Sequence, residues 1–176
     1  MAFITSGSTV ISFAEYEDVT ATDQRLFEAN EFGANVETMV EDALERATTR
    51  ILTKIQATDW WRAYYVRQSG SSVNSNIFTS GLISVPAPVG AKIKARQADF
   101  TDLCVYFTLA EILLPKIADF GNADTAERQK IGFYDEKFRA LFKELIEAGD
   151  WYDFSGDNTI TAAEKEPNRQ NLVRRR

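Results

Sequence analysis

The stretch ANVETMVEDALERATTRILTKIQA, from Ala34 to Ala57, decides the fold of this chain. Its apolar residues recur at steps of three and four, which is the period of one face of an α-helix. They are Val36, Met39, Val40, Ala43, Leu44, Ala47, Ile51, Leu52 and Ile55. Acidic residues come early on the outer face and basic residues late, which suits the helix dipole. The stretch therefore predicts one long amphipathic helix.

Two further long helices are predicted from the same kind of pattern. One runs from about residue 96 to 118, and its apolar residues cover most of its circumference, so we expect it to be central and buried. The other runs from about 124 to 148 and ends at Gly149. The predicted fold is therefore mainly α, a helical bundle of about three long helices.

The remaining segments are predicted to project from this bundle. Residues 69–92 are rich in Ser, Asn, Gly and Pro, and they predict a projecting loop or β-hairpin. The Thr/Ser-rich start of the chain predicts an extended arm or an edge strand. We expect three regions: an N-terminal arm at 1–18, a helical domain at 19–150 with the insertion at 69–92, and a C-terminal loop with an extended tail at 151–176.

A dense aromatic cluster, TDWWRAYY, follows the first long helix at residues 58–65. One interpretation is core packing at a corner between helices. The other is an anchor between subunits, because Trp and Tyr are favoured at interface hot spots. The candidates for intersubunit contact are Trp60, Trp61, Tyr64 and Tyr65, with Ile77 and Phe78 from the insertion.

Composition argues against several classes of protein. The net charge is −6, and an acidic body disfavours general binding to nucleic acid. Histidine is absent, which excludes histidine-dependent triads and the usual zinc sites. The single cysteine, Cys104, lies on the predicted central helix, so we expect a core residue rather than a nucleophile. We therefore predict that the protein is not an enzyme.

The sequence shows neither a secretory signal nor a membrane segment. The first residues lack the basic region and the apolar run of a signal peptide. No stretch approaches the roughly 20 apolar residues of a membrane-spanning helix. We expect a soluble intracellular protein with no membrane partner.

Residues 153–164 match the spacing of an EF-hand calcium loop. The ligand positions are taken by Asp153, Ser155, Asp157, Thr159 through its carbonyl, and Glu164. Asn158 stands where the motif has Gly, and Asn is the next best residue for a positive φ. The other interpretation is an Asx-type turn with a short capped helix, which needs no metal. We expect the chain to require no cofactor. If the loop at 153–164 binds an ion, the expected ion is calcium.

The end of the chain is basic, in contrast to the acidic body. It carries Arg169, Leu172, Val173, Arg174, Arg175 and Arg176. We expect this tail to dock on a partner protein, with its two apolar residues in a groove and its arginines paired with carboxylates. A disordered terminus and a local contact with nucleic acid are the alternatives.

Taken together, these features resemble the small helical head–tail connector proteins of tailed bacteriophages, also called adaptor or head-completion proteins. The resemblance covers most of the chain and is architectural rather than catalytic. It rests on the long helix at 36–55 that leads into residues 58–61, on the insertion at 69–92, on the aromatic third helix, and on the C-terminal tail. The aromatic residues of that helix are Phe133, Tyr134, Phe138 and Phe142.

The resemblance implies a virion structural protein that forms a ring, commonly of twelve copies, beneath the portal. Such a ring extends the DNA channel and joins the capsid to the tail. The implied partners are the portal protein, tail or neck proteins, and neighbouring copies, while double-stranded DNA passes without specific binding. Arg169 and residues 172–176 would contact the portal. The implied location is the head–tail interface of the virion, and the host cytoplasm during assembly.

Three alternatives from other classes stay open. The first is an EF-hand-like calcium-binding module, which metal affinity would reveal. The second is an enzyme with a carboxylate-held magnesium ion, such as a nuclease, which needs acidic residues gathered in one cleft. The third is a small regulatory protein that remains monomeric.

Overall fold

The computed structural model describes residues 3–24, 35–69, 85–118 and 126–165, and helices dominate these ranges. The helices are α1 Tyr16–Thr22, α2 Val36–Gln56, α3 Asp59–Gln68, α4 Gln97–Thr108, α5 Leu114–Ile117 and α6 Ala126–Ala148. Two short strands, β1 Ile4–Ser6 and β2 Thr9–Ser12, form an antiparallel hairpin before α1. The predicted mainly α fold with long helices is confirmed. No helix in the described ranges has the length and apolar character needed to span a membrane.

The central helix is buried on nearly all sides, as its sequence predicts. Helix α4 packs against α1, α2 and α6. Three residues of α4 and two of the π-helical segment that follows it are fully buried. These are Phe100, Leu103, Cys104, Leu109 and Leu113, each with an exposed fraction of 0%. Most of the circumference of this helix is apolar and therefore lies inside the protein, whereas Asp102 on the remaining side is exposed.

A π-helical segment, Leu109–Leu113, joins α4 to α5. Within it the N–H of Leu114 donates to the carbonyl of Leu109, five residues earlier. Pro115, the next residue, has no N–H, and its ring crowds the carbonyl four residues before it. The wider turn relieves this crowding, so the helix continues past the proline without a break.

The N-terminal hairpin folds back on the body instead of extending as an arm. Phe13 is 1% exposed and Phe3 8%, and the ring centroids of Phe13 and Phe100 lie 5.5 Å apart. The Phe13 N–H donates to Thr48 Oγ1 at 3.1 Å, and Thr101 Oγ1 donates to the Phe13 carbonyl at 2.8 Å. Of the two alternatives predicted for the start of the chain, an extended arm or an edge strand, residues 4–12 adopt the strand, and α1 begins at Tyr16. Burying each phenylalanine yields about 1.5–3 kcal/mol that an extended arm would forgo.

The end of the insertion lies against the body. Val85 is 4% exposed, and its carbonyl accepts a hydrogen bond from Gln56 Nε2 at 2.6 Å. Trp61 Nε1 donates to the carbonyl of Pro86 at 2.9 Å, so the chain re-enters the body between α2 and α3. The predicted hairpin with Ile77 and Phe78 lies outside the described residues. So does the tail from residue 166 onward.

Candidate functional site

The aromatic cluster of α3 packs inside the subunit. Helix α3 begins after Thr58, whose Oγ1 accepts a hydrogen bond from the Trp61 N–H at 3.2 Å as an N-cap. Trp61 and Tyr64 are each 1% exposed and Trp60 8%. Their neighbours come from far along the chain: Trp60 contacts Trp151 at a centroid distance of 5.4 Å, and Trp61 contacts Tyr152 at 4.9 Å.

This burial decides between the two interpretations of the cluster. For Trp60, Trp61 and Tyr64 the prediction of an intersubunit anchor is corrected, because almost no surface of these side chains is left for a neighbouring subunit. Their role is core packing. Tyr65 is only half-buried and packs on Phe154 at 5.6 Å, so its intersubunit role stays a prediction.

The segment after α6 is tied to the body by both backbone and side chains. Gly149, at φ +56°, ends α6 as predicted and turns the chain back. The N–H of Lys94 donates to the Trp151 carbonyl at 3.0 Å, and that of Asp153 to the Lys92 carbonyl at 2.9 Å. The indole N–H of Trp151 donates to the carbonyl of Leu145 at 2.8 Å. Residues 151–154 therefore belong to the helical body, which moves the predicted domain boundary after residue 150 toward the C-terminus.

The loop at 153–164 closes around the side chain of Asp153, which is 0% exposed. Its Oδ1 accepts from the Gly156 N–H at 2.6 Å and from the Ser155 hydroxyl at 3.1 Å. Its Oδ2 accepts from the Asn158 N–H at 2.8 Å. Asn158 has φ +68°, so the predicted left-handed conformation at this position is present.

Glu164 closes the loop from its other end. Oε1 accepts from the Ser155 N–H at 2.8 Å, and Oε2 accepts from both the N–H and the hydroxyl of Thr161 at 2.8 Å. Burial acts to raise the pKa of Glu164, but the hydrogen bonds from Thr161 and Ser155 outweigh it and hold that pKa at about 2. The carboxylate is therefore ionised and occupied by donors of the loop itself.

Asp157 and Thr159 pair with each other at the exposed tip of the loop. Asp157 Oδ1 accepts from the N–H of Thr159 at 2.9 Å and from its hydroxyl at 2.7 Å. Both bonds favour the ionised form and hold the pKa of Asp157 below its usual value. This is the geometry of an Asx-type turn.

The predicted calcium ligands are thus brought into one loop, but each has a hydrogen-bonding role there. The donor set has the chemistry that calcium takes, namely carboxylate, hydroxyl and carbonyl oxygens. Among the described residues no group of three acidic or cysteine side chains is arranged to hold a metal ion. The bonds from Thr159 to Asp157 are those of an Asx-type turn, and calcium binding stays a prediction.

Two features of the site were missed from the sequence. Trp151 and Tyr152 complete the aromatic cluster, and the signal was an adjacent aromatic pair two residues after the helix-ending Gly149. Asp23, 6% exposed, binds Lys130 at 2.7 Å and so joins the end of α1 to α6. Cys104, in contrast, lies where the sequence predicts, and burial raises its pKa to about 11.

No protein-family model matches the chain. Neither a curated protein nor a solved structure matches it significantly.

Proposed function

We propose that this protein is a head–tail connector subunit of a tailed bacteriophage. In this proposal it is a virion structural protein that forms a ring under the portal, extends the DNA channel and joins the capsid to the tail. It acts by binding: portal above, tail or neck components below, and neighbouring copies at the side. The resemblance in sequence organisation and the mainly α body support this role.

The observation that carries the proposal is the firm attachment of the segment that precedes the basic tail. Trp151 is buried among aromatic rings, and Gln68 Nε2 donates to the Ala163 carbonyl at 2.8 Å. Glu164 is held by hydrogen bonds from Ser155 and Thr161. The chain therefore reaches residue 165 at a defined place on an acidic body, shortly before a sequence in which Leu172 and Val173 stand between arginines. A basic, partly apolar sequence that follows an anchored segment suits docking on an acidic groove of a partner.

The charge of the body fits the passage of DNA. Glu37, Glu41 and Asp42 are exposed on the first half of α2, on a chain of net charge −6. Carboxylates repel phosphates, so acidic helices that line a channel let a duplex slide without adhering.

Removal of residues 168–176 tests the docking role. We expect the truncated protein to keep its helical content and unfolding midpoint, because the described contacts of the body end at residue 165. We expect it to lose attachment to the portal of its own phage, measured as ring density at the portal by electron microscopy. The matched control is Arg139→Gln with Lys143→Gln, which removes cations from the exposed face of α6 and should leave attachment intact. Normal portal binding by the truncated protein would overturn the proposal.

A second candidate is an EF-hand-like calcium-binding module, and the φ of +68° at Asn158 favours it. The test is calorimetric titration with calcium of the intact chain and of Asp157→Ala. This change removes one predicted ligand and leaves the hydrogen bonds of Asp153 and Glu164 in place. Calcium binding that the substitution abolishes would support the module, and no heat of binding in either protein would exclude it.

A further inference from the structure

Three cations form a row on the exposed side of α2. Arg46, Arg50 and Lys54 follow at steps of four residues, so they lie above one another about 6 Å apart along the helix axis. None of the ion pairs among the described residues involves any of them. Like charges at this spacing repel one another along a helix.

The row lines a groove between α2 and the end of the central helix. The groove has a volume of about 540 Å³, and Phe107 and Ile112 contribute apolar surface to it. Lys54 Nζ lies 5.8 Å from the ring centroid of Phe107 and 5.8 Å from that of Phe138, so its charge is held beside the apolar surface. Glu45 and Glu111 also line the groove, and the cations outnumber them.

A patch of carboxylates with the opposite charge lies on another side of α4. It consists of Asp99 and Asp102, which are three residues apart on α4, and of Asp18 on α1, which packs against α4. Burial and the repulsion from Asp99 and Asp18 together raise the pKa of Asp102. Arg96 pairs with Asp99 at 2.8 Å, whereas among the described residues Asp102 has no ion pair.

The groove and the acidic patch cannot meet within one molecule. Asp102 and Phe107 are five residues apart on the same helix, which places them about 140° apart around its axis. Two complementary surfaces on different sides of one chain produce a head-to-tail contact, which can repeat from copy to copy and close into a ring.

We propose that the groove lined by Arg46, Arg50 and Lys54 receives the acidic patch Asp18, Asp99 and Asp102 of a second copy of this chain. The proposal rests on the ring of the proposed function, and it supplies the chemistry of the contact between neighbouring subunits. The occupant is a second copy because this chain itself carries the complementary carboxylates, in addition to a groove in which three cations stand against Glu45 and Glu111. Binding of a double-stranded oligonucleotide is the competing outcome, and the test below separates the two.

A charge exchange between two preparations tests this contact. Arg50→Glu reverses a charge in the groove, and Asp102→Lys reverses one in the patch. We expect each variant alone to self-associate at least about tenfold more weakly than the native chain, because like charges then face each other. We expect an equimolar mixture of the two to recover association, measured by sedimentation velocity at low ionic strength. Arg139→Glu, with a side chain 75% exposed on α6, has the same charge change as Arg50→Glu and should leave association unaltered.

Zero-length carbodiimide cross-linking of an isotope-mixed sample provides the second readout. We expect bonds between Lys54 of one copy and Asp18, Asp99 or Asp102 of another. A chain that stays monomeric without such cross-links, or associates equally well as Arg50→Glu, would overturn the inference. So would loss of binding to a double-stranded oligonucleotide by Arg50→Glu with unchanged self-association. Attachment of the native chain to the portal is measured separately, so the inference can fail while the connector function stands.

Discussion

At the scale of single residues, Asp23 is a buried carboxylate that connects two helices. Lys130 Nζ lies 2.8 Å from its Oδ1 and 2.7 Å from its Oδ2, and the Tyr134 hydroxyl donates to Oδ2 at 3.3 Å. Burial and the charge of Asp23 raise the pKa of Tyr134 to about 12, so the phenol remains a donor at neutral pH. These contacts join the end of α1 to the start of α6.

We expect Lys130→Met to lower the free energy of unfolding by about 3 kcal/mol, because it leaves a buried carboxylate without its cation. Urea denaturation at neutral pH measures the change. The control is Lys143→Met, which removes a lysine 76% exposed and paired with Glu147 on the same helix. An exposed pair of this kind contributes roughly 0.3–0.5 kcal/mol. Equal effects of the two substitutions would show that Asp23 does not need Lys130.

At the scale of one element, the loop at 153–164 is stabilised by carboxylates that accept hydrogen bonds from its backbone. Glu164 is the clearest case, since its pKa falls from 4.5 to about 2. A depressed pKa means that folding favours the ionised form. The contribution of Glu164 is therefore fully present above pH 4.5 and is lost as the pH falls toward 2.

We expect Glu164→Gln to be less stable than the native chain at pH 6, and we expect this difference to vanish as the pH approaches 2. The neutral amide has no charge to lose, so only the native chain responds to acid through this residue. Unfolding free energies of both proteins across this pH range measure the difference. Glu147→Gln, at a residue 55% exposed on α6, is the matched control. A difference that stays constant with pH would contradict the role given to the carboxylate.

At the scale of the whole molecule, every other part of the described body packs on the central helix or on a neighbour of it. Cys104 lies near the middle of α4 with an exposed fraction of 0%, and its Sγ is 3.5 Å from Thr48 Oγ1 of α2. Burial raises its pKa from 9.0 to about 11, so the thiol is neutral at physiological pH. Access to this sulfur requires that α2 and α4 separate.

We expect Cys104 in the native chain to react with a thiol reagent at least about a thousandfold more slowly than in the urea-unfolded chain, because reaction requires opening of the core. Absorbance or mass spectrometry follows the modification. A destabilising change far from the sulfur, Lys130→Met, should speed the reaction in proportion to the lost stability. Rapid modification of the native chain would show that α4 is accessible and is not the centre of the core.

The sequence by itself determined the features that depend on near neighbours along the chain. Three- and four-residue spacing predicted α2, the continuous helix from α4 through α5, and α6, because one helical face is set by local geometry. The same holds for Gly149 as the end of α6, and for the positive φ of Asn158. Each of these is decided within a few residues.

Only the tertiary structure decided which buried surfaces meet. Trp61 faces Tyr152, Phe13 faces Phe100, and Asp23 faces Lys130, all across long separations in sequence. Burial of an aromatic side chain is favourable both in the core of a folded chain and in an interface between subunits. The sequence around Trp60 and Trp61 alone therefore could not distinguish core packing from an intersubunit contact. The partners of Trp60 and Trp61 lie at 151–154, and those of Phe100 include Phe3 and Phe13. The positions of these partners are set by packing between distant parts of the chain.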